Sequence, residues 1–320
     1  MTDEPTETRP TGYLRRVRTT YSASAPAYRN RRPRWRRPLI VLLVIAVLLG
    51  VGAYAAYSAY QRYVVRLLTV PGCSAGFGTN AFDLDFGQVQ DAAVIAGVAV
   101  RDGLPSRALI IAYATALQES KLENLSYGDR DSVGIFQQRP SEGWGTTAEL
   151  EDPAYAAQAF FKALVKVPHY TTIPVWQAAQ DVQRSAGGYA YEQYAANGAQ
   201  LAAAYTTQPH AVTCWYTPSS QSPTSAKLNL KGALKSLKDT FGESGKGDVV
   251  TEVSRSKTGQ AVTLHAASGQ GWTVASWLVA NASYYGITAV SYAGQEWTAQ
   301  LTETGWQADS SATGGGVVAR

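Results

Sequence analysis

The chain has 320 residues, room for about two domains at roughly 150 residues each, and its 45% apolar and 16% charged composition excludes a wholly disordered or collagen-like polypeptide. Two cysteines exclude a disulfide-dense miniprotein or a four-thiolate zinc site, and three dispersed histidines (His169, His210, His265) lack metal-ligand spacing, so neither metal nor cofactor is expected. The net charge of +4 is unevenly spread: residues 1–38 hold ten arginines against Asp3, Glu4 and Glu7, which leaves the rest of the chain net acidic and argues against a nucleic-acid partner.

Residues 1–38 are rich in Arg, Thr, Pro and Ser and read as a disordered basic tail. Residues 39–60, LIVLLVIAVLLGVGAYAAYSAY, carry no charge. As a helix they extend about 33 Å, enough to span a bilayer. Tyr54, Tyr57 and Tyr60 suit the far membrane interface, and the arginines before the span keep the N-terminus cytoplasmic by the positive-inside rule. The expectation is therefore a single-pass protein of the cell membrane whose later residues are exported. A cleaved signal peptide is the alternative, since Ala53-Tyr54-Ala55 imitates a cleavage site. An acylated Cys73 after Val70-Pro71-Gly72 is a weaker one. In an oxidising compartment, Cys73 and Cys214 are expected to form a disulfide. Closing so long a loop stabilises by roughly 5 kcal/mol in the chain-entropy model.

The exported part opens with an Ala-rich helical region. Helices are predicted over Phe86–Val100, from Ser106 as N-cap to Leu122, and from Asp152-Pro153 with Asp152 as cap. Two more follow at about Val175–Arg184 and Tyr189–Tyr205. Residues 216–260 have linker composition, although Leu230, Leu234, Leu237 and Phe241 form one amphipathic helical stripe. Residues 261–308 read as a small α+β domain of β-α-β-β order, with a hairpin turning at Ala293-Gly294. Residues 309–320 read as a flexible tail. The small domain holds Trp272, Trp277, Trp297 and Trp306, either to build a core or to offer a face to the wall or a protein partner.

Glu119 is the leading catalytic candidate. It continues a stripe of Ile111, Ala112, Thr115 and Ala116 on its helix, where desolvation disfavours the charged form of a carboxyl. A carboxyl kept protonated can protonate a glycosidic oxygen. The plainer alternative is a surface glutamate paired with Lys121.

Residues 118–140, QESKLENLSYGDRDSVGIFQQRP, resemble the signature of soluble lytic transglycosylases and goose-type lysozymes: Glu119-Ser120 at a helix end, then Gly134-Ile135-Phe136-Gln137, then Pro140. Gly128-Asp129-Arg130-Asp131-Ser132 before Gln137-Gln138-Arg139-Pro140 is similar to an exported, membrane-anchored actinobacterial subgroup. The resemblance covers residues 73–215. It implies a mainly α fold with a lysozyme-like helical domain, peptidoglycan glycan strands as partner and substrate, Glu119 as general acid and base, and Ser120 and Gln137 beside the sugar.

One family element departs from the pattern. The segment Ala179–Ser185 lacks the Tyr expected there, and Tyr189 or Tyr191 is the candidate to supply the phenol. Trp144, Tyr127 and Phe136 are candidates for stacking on sugar or for ordinary packing. Arg139 and Arg184 are candidates for substrate carboxylates or for surface ion pairs. Asp129, Asp131 and Glu142 are candidates for a second carboxylate, or simply turn residues. Without a second carboxylate the resemblance implies lytic transglycosylation between MurNAc and GlcNAc, giving an anhydro end. The alternatives are a water-using muramidase on the same fold and a non-catalytic peptidoglycan-binding or assembly protein.

Overall fold

A computed structural model describes residues 36–68, 70–77, 81–184, 187–218, 227–244, 247–248, 250–256, 260–302, 304–312 and 314–320. The tail expected over 1–38 lies almost wholly outside these residues, as do residues 219–226 of the 216–260 segment.

Helix α1 runs over Arg36–Leu68, and its stretch Ile40–Tyr60 is long and apolar enough to cross a membrane, with none of its most apolar window buried. The residues from Gln61 onward form a separate compact body. Its first strand, β1 (Gly72–Ala75), lies between β2 (Phe82–Leu84) and β3 (Val212–Trp215) in an antiparallel sheet. Cys73 and Cys214 sit opposite each other in the β1–β3 register and form the disulfide, with Cα atoms 4.0 Å apart. That bond takes up the sulfur of Cys73 and with it the acylation alternative.

Between β2 and β3 lie six helices: α2 (Phe86–Arg101), α3 (Ser106–Ser120), α4 (Thr147–Leu150), α5 (Pro153–Leu164), α6 (Val175–Gln183) and α7 (Ala195–Thr206). Asp85 caps α2 in a capping box with Gln88, and Asp152 caps α5 by accepting from the Ala154 and Tyr155 amides. Ser106 is the first residue of α3 and not its cap; Pro105 holds that position with no side-chain bond. The helix predicted from Tyr189 begins as a 3-10 turn, Gly188–Tyr194, before α7.

The expected linker and the separate small domain are corrected by the structure. Helix α8 (Leu230–Phe241) forms on the predicted stripe, with Leu230, Leu234, Leu237 and Phe241 all buried. After the short pair β4 (Glu243–Ser244) and β5 (Gly247–Asp248) comes β6 (Val250–Arg255), which pairs with β7 (Val262–Ala266). Helices α9 (Gly271–Ala280) and α10 (Ala282–Tyr285) follow, then β8 (Ala289–Tyr292), β9 (Gln295–Thr298), β10 (Trp306–Ala308) and β11 (Val317–Ala319). The expected β-α-β-β unit is thus part of a six-stranded antiparallel sheet ordered β10-β9-β8-β11-β7-β6. The expected flexible tail contains β11, which is inserted between β7 and β8 and buries Val317 and Ala319.

One core cluster runs from Cys73 to Ala319. Ring donors fasten its two ends together: the buried Trp297 Nε1 donates to the Cys214 carbonyl at 3.0 Å and the buried Tyr216 Oη to Ile287 at 3.0 Å, and the half-buried Trp306 Nε1 donates to Val212 at 2.8 Å. Of the four C-terminal tryptophans, Trp277 and Trp297 are core residues, while Trp272 and Trp306 are half-buried. The fold beyond the apolar helix is mixed α+β.

Candidate functional site

The segment Gly134–Gln137 is a tight turn. Val133 and Gln138 exchange backbone hydrogen bonds on either side of it, and the Gln137 amide donates back to the Gly134 carbonyl at 3.2 Å. Gly134 is required twice over: its φ is +78°, and an added Cβ would stand 2.2 Å from the Leu150 carbonyl oxygen. Ile135 and Phe136 are fully buried, and Phe136 stacks on Phe160 of α5 at 4.5 Å. Phe136 is therefore a core residue, the packing alternative of the two open to it, and is not available to stack on sugar.

Two side chains bolt this turn to its neighbours. Ser120, at the end of α3, donates its hydroxyl to the Ile135 carbonyl at 2.7 Å, and Gln183, at the end of α6, donates to the Phe136 carbonyl at the same distance. The Ser120 hydroxyl also accepts from the Glu123 amide, and the residue is buried. Ser120 fixes the helix that carries Glu119 against the turn; its expected role as a sugar contact is corrected, because its hydrogen bonds are satisfied inside the protein. Gln137 has φ +48° and is half-buried, and its amide nitrogen donates to the Gly134 and Tyr127 carbonyls. Tyr127 itself is exposed.

Glu119 stands half-buried on the last turn of α3. Tyr191 Oη donates to its Oε1 at 2.5 Å. In a 3-10 turn, side chains three apart eclipse one another, so Tyr191 and Tyr194 share one face while Tyr189 points elsewhere. Tyr191 is 2% exposed and Tyr189 73% exposed, the latter edge-on to Trp176. Lys121 donates to the Tyr194 hydroxyl and lies 4.6 Å from the centroid of its ring, so it is engaged with Tyr194 and not with Glu119. Of the two candidate tyrosines, it is Tyr191 and not Tyr189 that contacts the Glu119 carboxyl.

The loop carboxylates have separate duties. Asp131 accepts from Arg139 Nε at 2.8 Å, the Ser141 amide at 2.7 Å and the Ser141 hydroxyl at 3.0 Å. Those donors, the Ser141 amide first, hold its carboxyl far below the usual carboxylate range. Arg139 also pairs with Glu142. Arg139 is thus an internal brace of the loop, in the ion pairs that were the alternative to a role toward substrate. Asp129 is exposed, with Arg130 4.0 Å away.

Trp144 and Arg184 do not join Glu119. They line two adjoining cavities of about 330 and 460 Å³ along α5 and the end of α6, which Glu119, Gln137 and Tyr191 do not line. Among the described residues no group of His, Cys, Asp and Glu is arranged to hold a metal ion.

No known protein-family model and no curated protein matches this chain.

One residue was overlooked in the sequence. Asp91 of α2 is buried, and burial first of all pushes its carboxyl up to about 8, against the backbone amide of Asn124, which favours the charged form. Together with Gln88, whose side chain donates to the Lys121 carbonyl at 2.9 Å, it ties α2 to the loop that follows Glu119. The legible signal was an isolated acid in the apolar run Val89–Val100, on one stripe with Ile95 and Val98.

Proposed function

We propose that this chain is a membrane-tethered, extracytoplasmic lytic transglycosylase of the lysozyme-like family that cleaves the MurNAc–GlcNAc bond of peptidoglycan, with Glu119 as its single general acid and base. The observation that carries this reading is the short hydrogen bond from the buried Tyr191 to the half-buried Glu119. A carboxyl fixed at one oxygen leaves the other to face a glycosidic oxygen, and a phenol that stays in place holds the group through both proton transfers. The Glu119-Ser120 pair and the Gly134–Gln137 turn, bolted together by Ser120, support the family assignment.

The roles of the loop acids favour intramolecular attack over hydrolysis. Two of the three loop acids, Asp131 and Glu142, are engaged by Arg139, while Asp129 stands exposed with Arg130 4.0 Å away; a carboxylate held as strongly ionised as Asp131 is a poor base for water. The proton therefore passes from Glu119 to the departing glycosidic oxygen. The muramyl 6-hydroxyl then attacks the anomeric carbon and returns its proton to Glu119, and a 1,6-anhydro end forms with no water consumed. The apolar helix over Ile40–Tyr60 and the Cys73–Cys214 disulfide support a membrane anchor with the body outside the cytoplasm.

Digestion of purified peptidoglycan by the full chain in water enriched in oxygen-18 tests the reading. Anhydro-muropeptides without the heavy isotope are expected. Reducing ends that carry it would make the protein a muramidase, and wall binding without products would make it a non-catalytic binder.

A further inference from the structure

The two adjoining cavities share Trp144, Ala163, Lys166 and Arg184 and so form one groove. Each part falls within the roughly 300–1,000 Å³ common for ligand sites. Local geometry fixes the groove's walls. Gly145, beside Trp144, lies so close to Tyr155 of α5 that an added Cβ would come within 2.8 Å of the ring, which seats the Trp144 loop on that helix. Arg184 caps α6 in the left-handed region, at φ +52°, directly after the Gln183 that donates to Phe136. The groove is therefore tied through one residue to the turn that carries Gln137.

Its chemistry is cationic with acidic points. Lys162, Lys166 and Arg184 are exposed, and none takes part in an ion pair recorded among the described residues. Three such cations have no use for a neutral sugar. Asp181 also lines the groove, and Glu142 lies on its rim already paired with Arg139. A uniformly anionic polymer would meet repulsion at Asp181. A short peptide that bears several carboxylates and one free amine suits both signs, with Trp144 offering an apolar wall between them.

We propose that this groove is a subsite for the peptide stem of peptidoglycan, with Lys166 and Arg184 holding stem carboxylates, Lys162 at the far wall and Asp181 receiving the stem's free side-chain amine. The proposal rests on the glycan-cleaving reading for the identity of the ligand. It makes the enzyme selective for glycan strands that still carry their peptides.

The test uses the full chain in nanodiscs of zwitterionic lipid and titrates it calorimetrically with a soluble tetrapeptide stem that has a free side-chain amine. Its carboxylate-amidated and amine-acetylated forms, and a glycan stripped of stems, serve as comparisons. Binding of the free stem is expected to weaken about tenfold on amidation and in the K166Q/R184Q variant, in proportion to the charged contacts removed. D181N is expected to weaken the free-amine stem and leave the acetylated one unchanged. Failure of the stem to bind, or equal binding by wild type and K166Q/R184Q with unchanged circular dichroism, would overturn the proposal. Tighter binding of a phosphodiester polymer than of the stem would overturn it as well. The two readings fail separately: a chain that cleaves glycan but ignores the stem loses only the groove's ligand, whereas stem binding without glycan cleavage overturns the reaction and supports the groove.

Discussion

Tyr191 and Glu119 lie 72 residues apart in sequence, yet the phenol of one donates to the carboxylate of the other at 2.5 Å. The contact depends on the 3-10 turn Gly188–Tyr194, which sends Tyr191 inward and leaves Tyr189 outside. A hydrogen bond to a charged group is worth about 1.5–3 kcal/mol. Tyr191→Phe is therefore expected to lower kcat about tenfold to a hundredfold with KM little changed, measured as muropeptide release under saturating glycan. Loss confined to KM would assign Tyr191 to binding.

Asp91 gives the protein a distinctive dependence of stability on pH. Its folded carboxyl titrates near 8, against an ordinary value of 3.8. Between those values the native state keeps a proton that the unfolded chain has released, so stability falls as pH rises, by on the order of 1 kcal/mol per unit, and levels off above about 8. Asn at this position keeps an acceptor for the Asn124 amide and cannot ionise. Denaturant melts of wild type and Asp91→Asn between pH 5 and 8 should diverge, with the variant increasingly the more stable. Asp131 acts with the opposite sign, because its depressed value makes its contribution disappear only in acid, below this window. Parallel curves would show that Asp91 is ionised in the native protein.

The disulfide closes a loop with a sequence separation of 141 residues across β1 and β3. Reduction, or Cys73→Ser with Cys214→Ser, is expected to cost about 5 kcal/mol in the chain-entropy model. Chemical denaturation of the full chain in detergent, with and without reductant, measures it. An unchanged midpoint would mean that sheet and core alone hold this edge.

Gly134→Ala is expected to destabilise by at least about 2 kcal/mol, since it adds left-handed strain to a collision with backbone. Because the turn is joined to α3 through Ser120, activity should fall even where the protein remains folded. A thermal melt beside an activity assay at low temperature separates the two effects.

Local chemistry made much of this fold readable in the chain. The apolar span has its length, α8 its stripe of Leu230, Leu234, Leu237 and Phe241, α5 its Asp152-Pro153 start, and the β8–β9 hairpin its two-residue turn. Ala293 and Gly294 indeed take φ of 50° and 77° there. Strand β11 was hidden because Val317–Ala319 is too short to show a period and is held by β7 and β8 instead of by its own sequence. The supposed linker misled for the same reason: its Ser, Thr and Gly content hides β6, whose partner β7 begins only at Val262. At the site, residue types were legible and directions were not. Ser120 and Phe136 belong to the expected motif but point into the protein, and it is the 3-10 geometry of its segment that turns Tyr191, and not Tyr189, toward Glu119.

The central claim is that Glu119 carries out glycan cleavage. The most direct measurement compares the full-length protein with its Glu119→Gln variant on insoluble peptidoglycan, reading soluble anhydro-muropeptides by mass spectrometry. Wild type should release them, and the variant should lose at least about a hundredfold of that rate, the scale of a general acid, while still binding the wall. Equal release by the two proteins would contradict the account.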